Sequence, residues 1–208
     1  TSQILNNYKI KNNIKVITQS NKGLGAARNT GIKASDGIYI CLLDADDLWV
    51  PNKLTSVYEI IKNKGYALIS NDEIILGNKY LFYLRNNPPK SLADLLIAGN
   101  TLSPSAITIK KEVFDKVGLF KEGKNYLGVE DWDFWIRVID FGEKIKHLPQ
   151  PLGIYRRDIQ NMSKSNEFTK RIINIHRNNS RYFHSRGIIS TADIKNWETF
   201  LLISNFIN

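Results

Sequence analysis

A continuous run of six apolar or aromatic residues, at positions 38–43, has the length of a β-strand. The run does not alternate with polar residues, which is typical of a strand buried on both faces within a mostly parallel sheet. It ends at Asp44, Asp46 and Asp47, three carboxylates within four positions. We therefore expect an acidic rim at the carboxyl end of a central strand.

The remaining hydrophobic pattern alternates between strand and helix lengths. It predicts an α/β fold, with a mostly parallel sheet flanked by helices and with amphipathic helices at the C-terminus. The predicted strands cover residues 14–17, 66–70, 105–109, 144–148 and 152–155. The predicted helices cover residues 26–34, 51–64, 110–117 and 130–141, a basic segment that ends at Gly187, and a last segment that begins at Ser190 or Thr191. Their predicted buried faces include Leu54, Val57, Tyr58 and Ile61 in the second helix, and Trp132, Trp135, Ile136 and Ile139 in the fourth.

The three clustered carboxylates have two interpretations. Carboxylates this close together repel one another unless a cation lies among them, and Mg²⁺ or Mn²⁺ prefers such oxygen ligands. The mouth of an α/β sheet, beyond the carboxyl ends of its strands, is also where ligands usually bind. The alternative is an Asp-rich turn in which Asp47 caps the next helix.

Composition favours an ordinary globular domain. The chain has 208 residues, of which 42% are hydrophobic and 24% charged, enough for one domain with a core. No apolar run approaches the roughly 20 residues that span a bilayer, and the polar start predicts no signal peptide in this chain. The single cysteine, Cys41, excludes an internal disulfide and favours a reducing compartment.

The net charge of +9 is concentrated in one region. Ten Lys or Arg residues lie between Lys144 and Arg186, against only Asp158 and Glu167, so this region carries +8. Such a region favours nucleic acid, a lipid surface or phosphates as partners. A solvated helix face is the alternative. No recognised nucleic-acid motif is present, and we do not predict a nucleic-acid partner.

Two further blocks accompany the acidic strand end. Asn-Lys-Gly-Leu-Gly-Ala-Ala-Arg-Asn-Thr-Gly occupies residues 21–31, and Glu-Asp-Trp-Asp-Phe-Trp-Ile-Arg occupies residues 130–137. In order and approximate spacing the three blocks resemble the inverting family 2 nucleotide-sugar glycosyltransferases of the GT-A fold. The resemblance implies a GT-A (Rossmann-like) domain at residues 1–163, N-terminally incomplete, and a C-terminal helical extension at residues 164–208.

The family's chemistry has two requirements. The departing diphosphate must be neutralised, which a divalent cation achieves as a Lewis acid, and the acceptor hydroxyl must lose its proton to a carboxylate base. The resemblance implies that Asp46 is the principal ligand of Mn²⁺ or Mg²⁺, that Asp44 contacts the ribose and the metal, and that Asp131 is the base, with Glu130 beside it. The alternative for Glu130 and Asp131 is an acidic pair favoured by the helix dipole.

Four further residues are candidate donor contacts. Arg28 and Asn29 match family positions near the nucleotide, although a surface arginine on a helix remains an alternative for Arg28. Residues 155–158 resemble a segment that often reads Tyr-Arg-x-His. Because Asp158 replaces that histidine, either Arg156 or Arg157 contacts the diphosphate instead or this contact is missing. No Gln-x-x-Arg-Trp follows Glu130, so the resemblance implies addition of single sugars rather than processive synthesis.

The chain lacks the family's first two strands, which lie between the strands predicted at residues 14–17 and 38–43. Without them the first of these strands has no neighbour and the second exposes an apolar edge. We expect that the natural protein extends upstream or that a partner chain supplies the strands. The alternative is a catalytically incompetent binding domain with the GT-A scaffold.

The resemblance implies a hexosyltransferase-type enzyme that uses a UDP-sugar. The expected acceptor is a glycan or a lipid-linked sugar in cell-surface polysaccharide or glycoconjugate synthesis. The expected location is cytoplasmic, with an anionic membrane surface as a further candidate partner. The donor sugar, linkage and oligomeric state are left open by the sequence.

Overall fold

The computed structural model describes residues 4–5, 13–77, 81–84, 88–97, 99–156 and 166–206. Its strands are β1 (Tyr39–Cys41), β2 (Leu48–Trp49), β3 (Leu68–Leu76), β4 (Leu81–Leu84), β5 (Ile107–Lys110) and β6 (Ile145–Arg156). Its helices are α1 (Leu24–Ala34), α2 (Lys53–Lys64), α3 (Leu92–Ile97), α4 (Glu112–Val117), α5 (Glu130–Asp140), α6 (Asn166–Ser185) and α7 (Thr191–Phe206). Short 3₁₀ turns lie at Pro104–Ala106 and Lys124–Tyr126.

The strands form one six-stranded sheet in the order β1-β5-β3-β6-β2, and β4 also pairs with β3. The predicted α/β architecture, a sheet flanked by helices, is confirmed. Its strand directions correct the prediction, because β3 and β6 are the one parallel pair among the described strands and the other pairs are antiparallel. Strand direction follows from the connections between strands, which the apolar pattern does not encode.

The run at residues 38–43 forms an edge strand, not a central one. Only Tyr39–Cys41 is extended in the sheet, and among the described strands β1 pairs with β5 alone. Ile38 and Leu43, at the two ends of the run, are 73% and 47% exposed. The prediction of burial on both faces is therefore wrong, while the expected apolar edge is present.

The strand predicted at residues 14–17 is absent, since this segment is described without regular secondary structure. Ile14 and Ile17 are partly exposed. A β-strand is defined by ladder hydrogen bonds to a neighbouring strand, and none of the described strands pairs with this segment.

Most residues of helix α5 are buried. Trp132, Trp135 and Ile136 are buried as predicted. Phe134 and Val138, which lie outside the predicted apolar face, are also fully buried. Phe134 stacks at 5.1 Å from Phe114 and contacts Phe120 at 4.5 Å between ring centroids. The helix therefore lies inside the core rather than along its surface.

The buried face predicted for α2 is partly wrong. Val57 is buried, but Leu54 and Tyr58 are 55% and 62% exposed, and the fully buried residue of the first turn is Lys53. A lysine was not expected inside because its charge must lose water. Its hydrogen-bond partners, described below, make this burial possible.

Helix α6 contributes Ile175 and Phe183 to the same core, the connection after it contributes Ile189, and Ile194 of α7 packs against this core. The boundary predicted between residues 163 and 164 falls outside the described residues, so the domain division stays a prediction. Among the described helices, none is both long enough and apolar enough to cross a lipid bilayer.

Candidate active site

Asp47 stabilises the acidic turn, residues 44–47, which lies between β1 and β2. This carboxylate is 5% exposed, accepts a hydrogen bond of 2.6 Å from Ser105 Oγ and accepts another of 3.0 Å from the backbone N–H of Arg156. Burial raises the pKa of Asp47, and the two hydrogen bonds oppose the rise. Asp47 does not cap α2, because that helix begins at Lys53 with Asn52 at its N-cap.

Ser105 ties the turn to the sheet. Its hydroxyl accepts the backbone N–H of Asp44 at 3.0 Å, while its carbonyl accepts Trp49 Nε1 at 3.0 Å and Lys53 Nζ at 2.8 Å. Lys53 also donates to Asn71 Oδ1 at 2.8 Å, and burial lowers the pKa of its amine to about 8. The sequence contains no periodic signal for either Ser105 or Lys53, and both were missed.

Arg28 joins the acidic turn to the start of α5. Its guanidinium donates to both carboxylate oxygens of Asp44, at 2.8 and 2.9 Å, and to Glu130 Oε1 at 2.5 Å. The Arg28 side chain is only 10% exposed, so the alternative of a surface arginine is wrong. The structure thus brings together Arg28, Asp44 and Glu130, which come from three distant parts of the sequence.

Asn29, the neighbour of Arg28, faces a different part of the molecule. Its amide donates to Phe120 O at 2.9 Å and to Glu122 Oε1 at 2.8 Å, and its Oδ1 accepts the Phe120 N–H at 3.0 Å. These contacts fix the loop after α4. They give Asn29 a structural role, and its predicted nucleotide contact stays a prediction.

The first turn of α5 presents two acids in different surroundings. Glu130 is 2% exposed, and its second oxygen accepts the N–H of Gly128 at 2.7 Å. Asp131 is partly exposed and accepts Asn100 Nδ2 and the N–H of Trp132, both at 2.8 Å. Burial of the carboxyl group, aided by the charge of Glu130, raises the pKa of Asp131 to about 7. A carboxylate with this pKa can accept a proton near neutral pH.

Three further arginines near the site differ in their surroundings. Arg156 is exposed and approaches the turn through its backbone N–H, whereas Arg157 lies outside the described residues. Arg137 pairs with Asp133 at 2.8 Å and donates to Leu119 O at 2.9 Å. These contacts give Arg137 a structural role.

The acidic turn offers ligands for a divalent cation, but it is not a preformed cage. Within the described ranges, no three His, Cys, Asp or Glu side chains converge on a metal position. Asp46 is exposed and Asp44 is partly exposed. This pair fits Mg²⁺ or Mn²⁺, because such ions are often held by one or two carboxylates together with substrate phosphates and water. Asp47 is buried and bonded to Ser105 and Arg156. Asp44 is bonded to Arg28 through both oxygens, but a carboxylate has about four acceptor positions, so Asp44 can still face a cation.

Residues 1–118 match the sequence profile of glycosyl transferase family 2. The chain belongs to this family. Enzymes of the family generally use a divalent metal ion, which agrees with the chemistry of Asp44 and Asp46. The match ends before α5, so Glu130 and Asp131 lie beyond it.

Two relatives within the family show how much of their sequences this chain matches. An uncharacterized glycosyltransferase of Nostoc sp. is 32% identical over 69% of this chain and 47% of its own length. The Escherichia coli enzyme WfaP, a UDP-Glc:alpha-D-GlcNAc-diphosphoundecaprenol beta-1,3-glucosyltransferase, is 24% identical over 71% of this chain and 57% of its own length. The chain thus spans about half the length of these relatives.

The structural comparison supports the fold. Residues 1–349 of Staphylococcus aureus TarS, crystallised with UDP-GlcNAc, superpose with a TM-score of 0.66 over 84% of this chain and 52% of TarS, at 19% identity. The predicted GT-A architecture is confirmed by this likeness.

Proposed function

We propose that this chain forms part of an inverting glycosyltransferase that moves a single sugar from a UDP-sugar to an acceptor hydroxyl. The observation that carries the proposal is the Arg28 guanidinium, which hydrogen-bonds Asp44 at 2.8 Å and Glu130 at 2.5 Å. It brings Asp44 at the strand end and Glu130 at the start of α5 within one side-chain length of each other. Sugar transfer requires such proximity, because the donor and the acceptor hydroxyl must be aligned before they react.

In this proposal, Asp46 and Asp44 hold Mn²⁺ or Mg²⁺. The bound cation supplies neutralisation of the departing diphosphate. Arg28 orients Asp44, and Arg156 and Arg157 are the candidate contacts for the outer phosphate oxygens.

Asp131 accepts the proton of the acceptor hydroxyl while that oxygen forms its bond to the anomeric carbon. The bond from this carbon to the diphosphate breaks, and its electron pair leaves with the diphosphate. One displacement inverts the anomeric centre. Asn100 and the N–H of Trp132 hold the Asp131 carboxylate in place, and Glu130 stays paired with Arg28.

The relatives support the choice of substrates. WfaP is named for transfer from UDP-Glc to a diphosphoundecaprenol-linked sugar, and TarS was crystallised with UDP-GlcNAc. We therefore propose a UDP-sugar as donor and a glycan or lipid-linked sugar as acceptor, in the synthesis of a cell-surface polysaccharide or glycoconjugate.

A second candidate function is glycan or protein binding without catalysis. It is favoured by β1, which pairs with β5 alone among the described strands and exposes the apolar side chain of Ile38 beside it. Only the transferase requires a cation for UDP binding. Metal-dependent UDP binding therefore favours the transferase over the binding domain.

Calorimetric titration of the protein with UDP, in Mn²⁺ and in chelator, tests the proposal. We expect binding in Mn²⁺ that is lost in chelator and in Asp46→Asn, because the carboxylate supplies a metal ligand. Asp36→Asn, which changes an exposed acid elsewhere, is the matched control and keeps binding. Metal-independent binding, or an Asp46→Asn protein that binds like the control, contradicts the proposed function.

A further inference from the structure

The C-terminal ends of α5 and α6 meet at the protein surface. Arg186 Nη1 donates to Asp140 Oδ1 at 2.7 Å and to Tyr182 Oη at 3.1 Å. Its guanidinium also lies 5.3 Å from the centroid of the Tyr182 ring. These contacts place Phe141, which follows Asp140, beside the last turn of α6.

Three large apolar side chains are exposed around this junction. Phe141 is 57% exposed, Tyr182 is 51% exposed and Ile188 is 37% exposed. The N–H of Ile188 donates to Phe183 O at 2.9 Å, which folds the chain back onto the end of α6. Single exposed apolar residues are common, but a group of them marks an interaction surface.

Exposed basic residues lie close in sequence to these apolar side chains: Lys144 is three residues after Phe141, and Arg181 directly precedes Tyr182. Lys144, Arg177 and Arg181 are exposed, and none of them forms an ion pair with the residues that the structure describes. All three lie within the segment from Lys144 to Arg186, which as a whole carries the local excess of +8. We define the α5–α6 surface as Phe141, Lys144, Arg177, Arg181, Tyr182 and Ile188.

We propose that the α5–α6 surface docks on an anionic lipid bilayer. Aromatic residues with an apolar body and a polar tip are enriched at the membrane interface. Basic residues nearby are attracted to anionic headgroups, and apolar burial combined with this attraction determines the strength of interfacial binding. The α5–α6 surface combines both features.

The placement of α5 is consistent with this orientation. Asp131 and Phe141 are ten residues apart, which corresponds to about 15 Å along a helix. The acids at the start of α5 therefore lie at the opposite end of this helix from Phe141. The lipid-docking proposal rests on the surface alone and is independent of the proposed transfer reaction.

Nucleic acid is the competing partner for a basic surface. The exposed Phe141 and Ile188 favour the bilayer, because phosphate-backbone binding depends mainly on Lys and Arg contacts and gains little from apolar side chains. Duplex DNA is therefore included as a probe.

Sedimentation with lipid vesicles tests the proposal. The protein is mixed with vesicles of phosphatidylcholine alone and of phosphatidylcholine with phosphatidylglycerol, at low and high salt. We expect binding only to the anionic vesicles, weakened by salt. The double variant Phe141→Ser/Tyr182→Ser should bind at least about tenfold more weakly, because two interfacial aromatic anchors are lost.

Two matched controls locate the effect. Leu54→Ser/Tyr58→Ser removes equally exposed apolar side chains from α2 and should bind like the unaltered protein. Arg181→Glu tests the same surface without an apolar change, and it should weaken binding about tenfold or more. Lys33→Glu, on α1, gives the same change in net charge and should have a much smaller effect.

Three results would overturn the proposal. The first is no sedimentation of the protein with anionic vesicles. The second is equal loss in the α5–α6 variants and their controls. The third is salt-sensitive binding to duplex DNA without binding to vesicles. Loss of UDP binding would leave vesicle binding intact, so the two proposals fail separately.

Discussion

At the residue scale, Asp131 differs from the strand-end acids in its surroundings. Burial and the neighbouring charge of Glu130 raise its pKa to about 7, although Arg28 and two hydrogen bonds oppose the rise. The protonated form is thus favoured in the folded protein at mildly acidic pH. A base with this pKa changes its protonation state near pH 7, so its proposed role can be tested by measuring turnover against pH.

We expect Asp131→Asn to lower turnover by about 10²–10⁴-fold, the usual contribution of a general base. UDP binding should remain, because the amide keeps a similar shape. In the unaltered protein, turnover should rise with pH through about 7 and then level off, as Asp131 loses its proton. The measurement is UDP release as a function of pH. A flat profile, or an active Asp131→Asn protein, would exclude Asp131 as the base.

The same substitution has a predicted effect on stability. Because the folded pKa of about 7 lies above the ordinary value of 3.8, the folded protein binds more protons between these two values. The contribution of Asp131 to stability is therefore fully present below pH 3.8 and is lost as pH rises through about 7. Asp131→Asn should raise the free energy of unfolding at pH 8 relative to the unaltered protein, and this gain should shrink towards pH 4. Urea unfolding at both pH values measures the difference.

Some site residues could be predicted from the sequence and others could not. Asp44, Asp46, Glu130 and Asp131 stand at element ends, where local patterns locate them. Ser105 was not predictable, because its contacts to Asp47 and Lys53 join residues 58 and 52 positions apart. Such pairs become neighbours only after the sheet has formed.

At the element scale, α1 is positioned by a backbone contact. A Cβ atom at Gly25 would lie 2.4 Å from the carbonyl oxygen of Lys121, so α1 and this loop touch without a side chain between them. Arg28 follows one turn later and points to Asp44 and Glu130. A Gly-x-Gly sequence is a weak indication of a phosphate-binding loop. Here its second glycine, Gly25, allows the helix to contact the Lys121 backbone.

We expect Gly25→Ala to lower the free energy of unfolding by about 1–3 kcal/mol, since helix and loop must separate. It should also weaken UDP binding, because Arg28 moves with the helix. Gly31→Ala, on the same helix, is the matched control. Nothing lies within 4 Å of its added Cβ, so it should stabilise the protein by about 0.5–1 kcal/mol. Thermal unfolding measures both, and equal effects of the two substitutions would rule out the packing role of Gly25.

The helix faces show where periodicity succeeds and where it fails. The pattern located α5 correctly, because aromatic residues at helical spacing dominate its sequence. In α2 it selected Leu54 and Tyr58, which are exposed, and passed over the buried Lys53. Hydrophobicity alone assigns the wrong buried face to a helix when one of its buried positions carries a charge that is satisfied by distant oxygens.

At the scale of the whole molecule, the sheet has an open edge at β1. Among the described strands β1 has a single neighbour, and the apolar side chains of Ile38 and Leu43 lie exposed at its ends. The apolar run predicted a central strand, but the number of neighbours of a strand depends on the rest of the chain. An exposed apolar edge promotes association between chains.

We expect the protein to self-associate as its concentration rises, and Ile38→Lys to reduce this association, because a charged edge residue opposes strand pairing. Leu54→Lys, which changes an exposed apolar residue on α2, is the control and should have little effect. Static light scattering over a concentration series gives the average mass. If both variants behave alike, the β1 edge is not the contact.

Helix α5 has a consequence for protein engineering. Its Phe134 and Trp135 pack against the rings of Phe114 and Phe120, and its first turn carries Glu130 and Asp131. Repacking the interior around Phe134 or Trp135 would therefore also displace these two acids. Directed evolution for heat resistance should therefore not vary the residues around Phe134 and Trp135. Substitutions on the exposed faces of the other helices can raise stability without displacing Glu130 and Asp131.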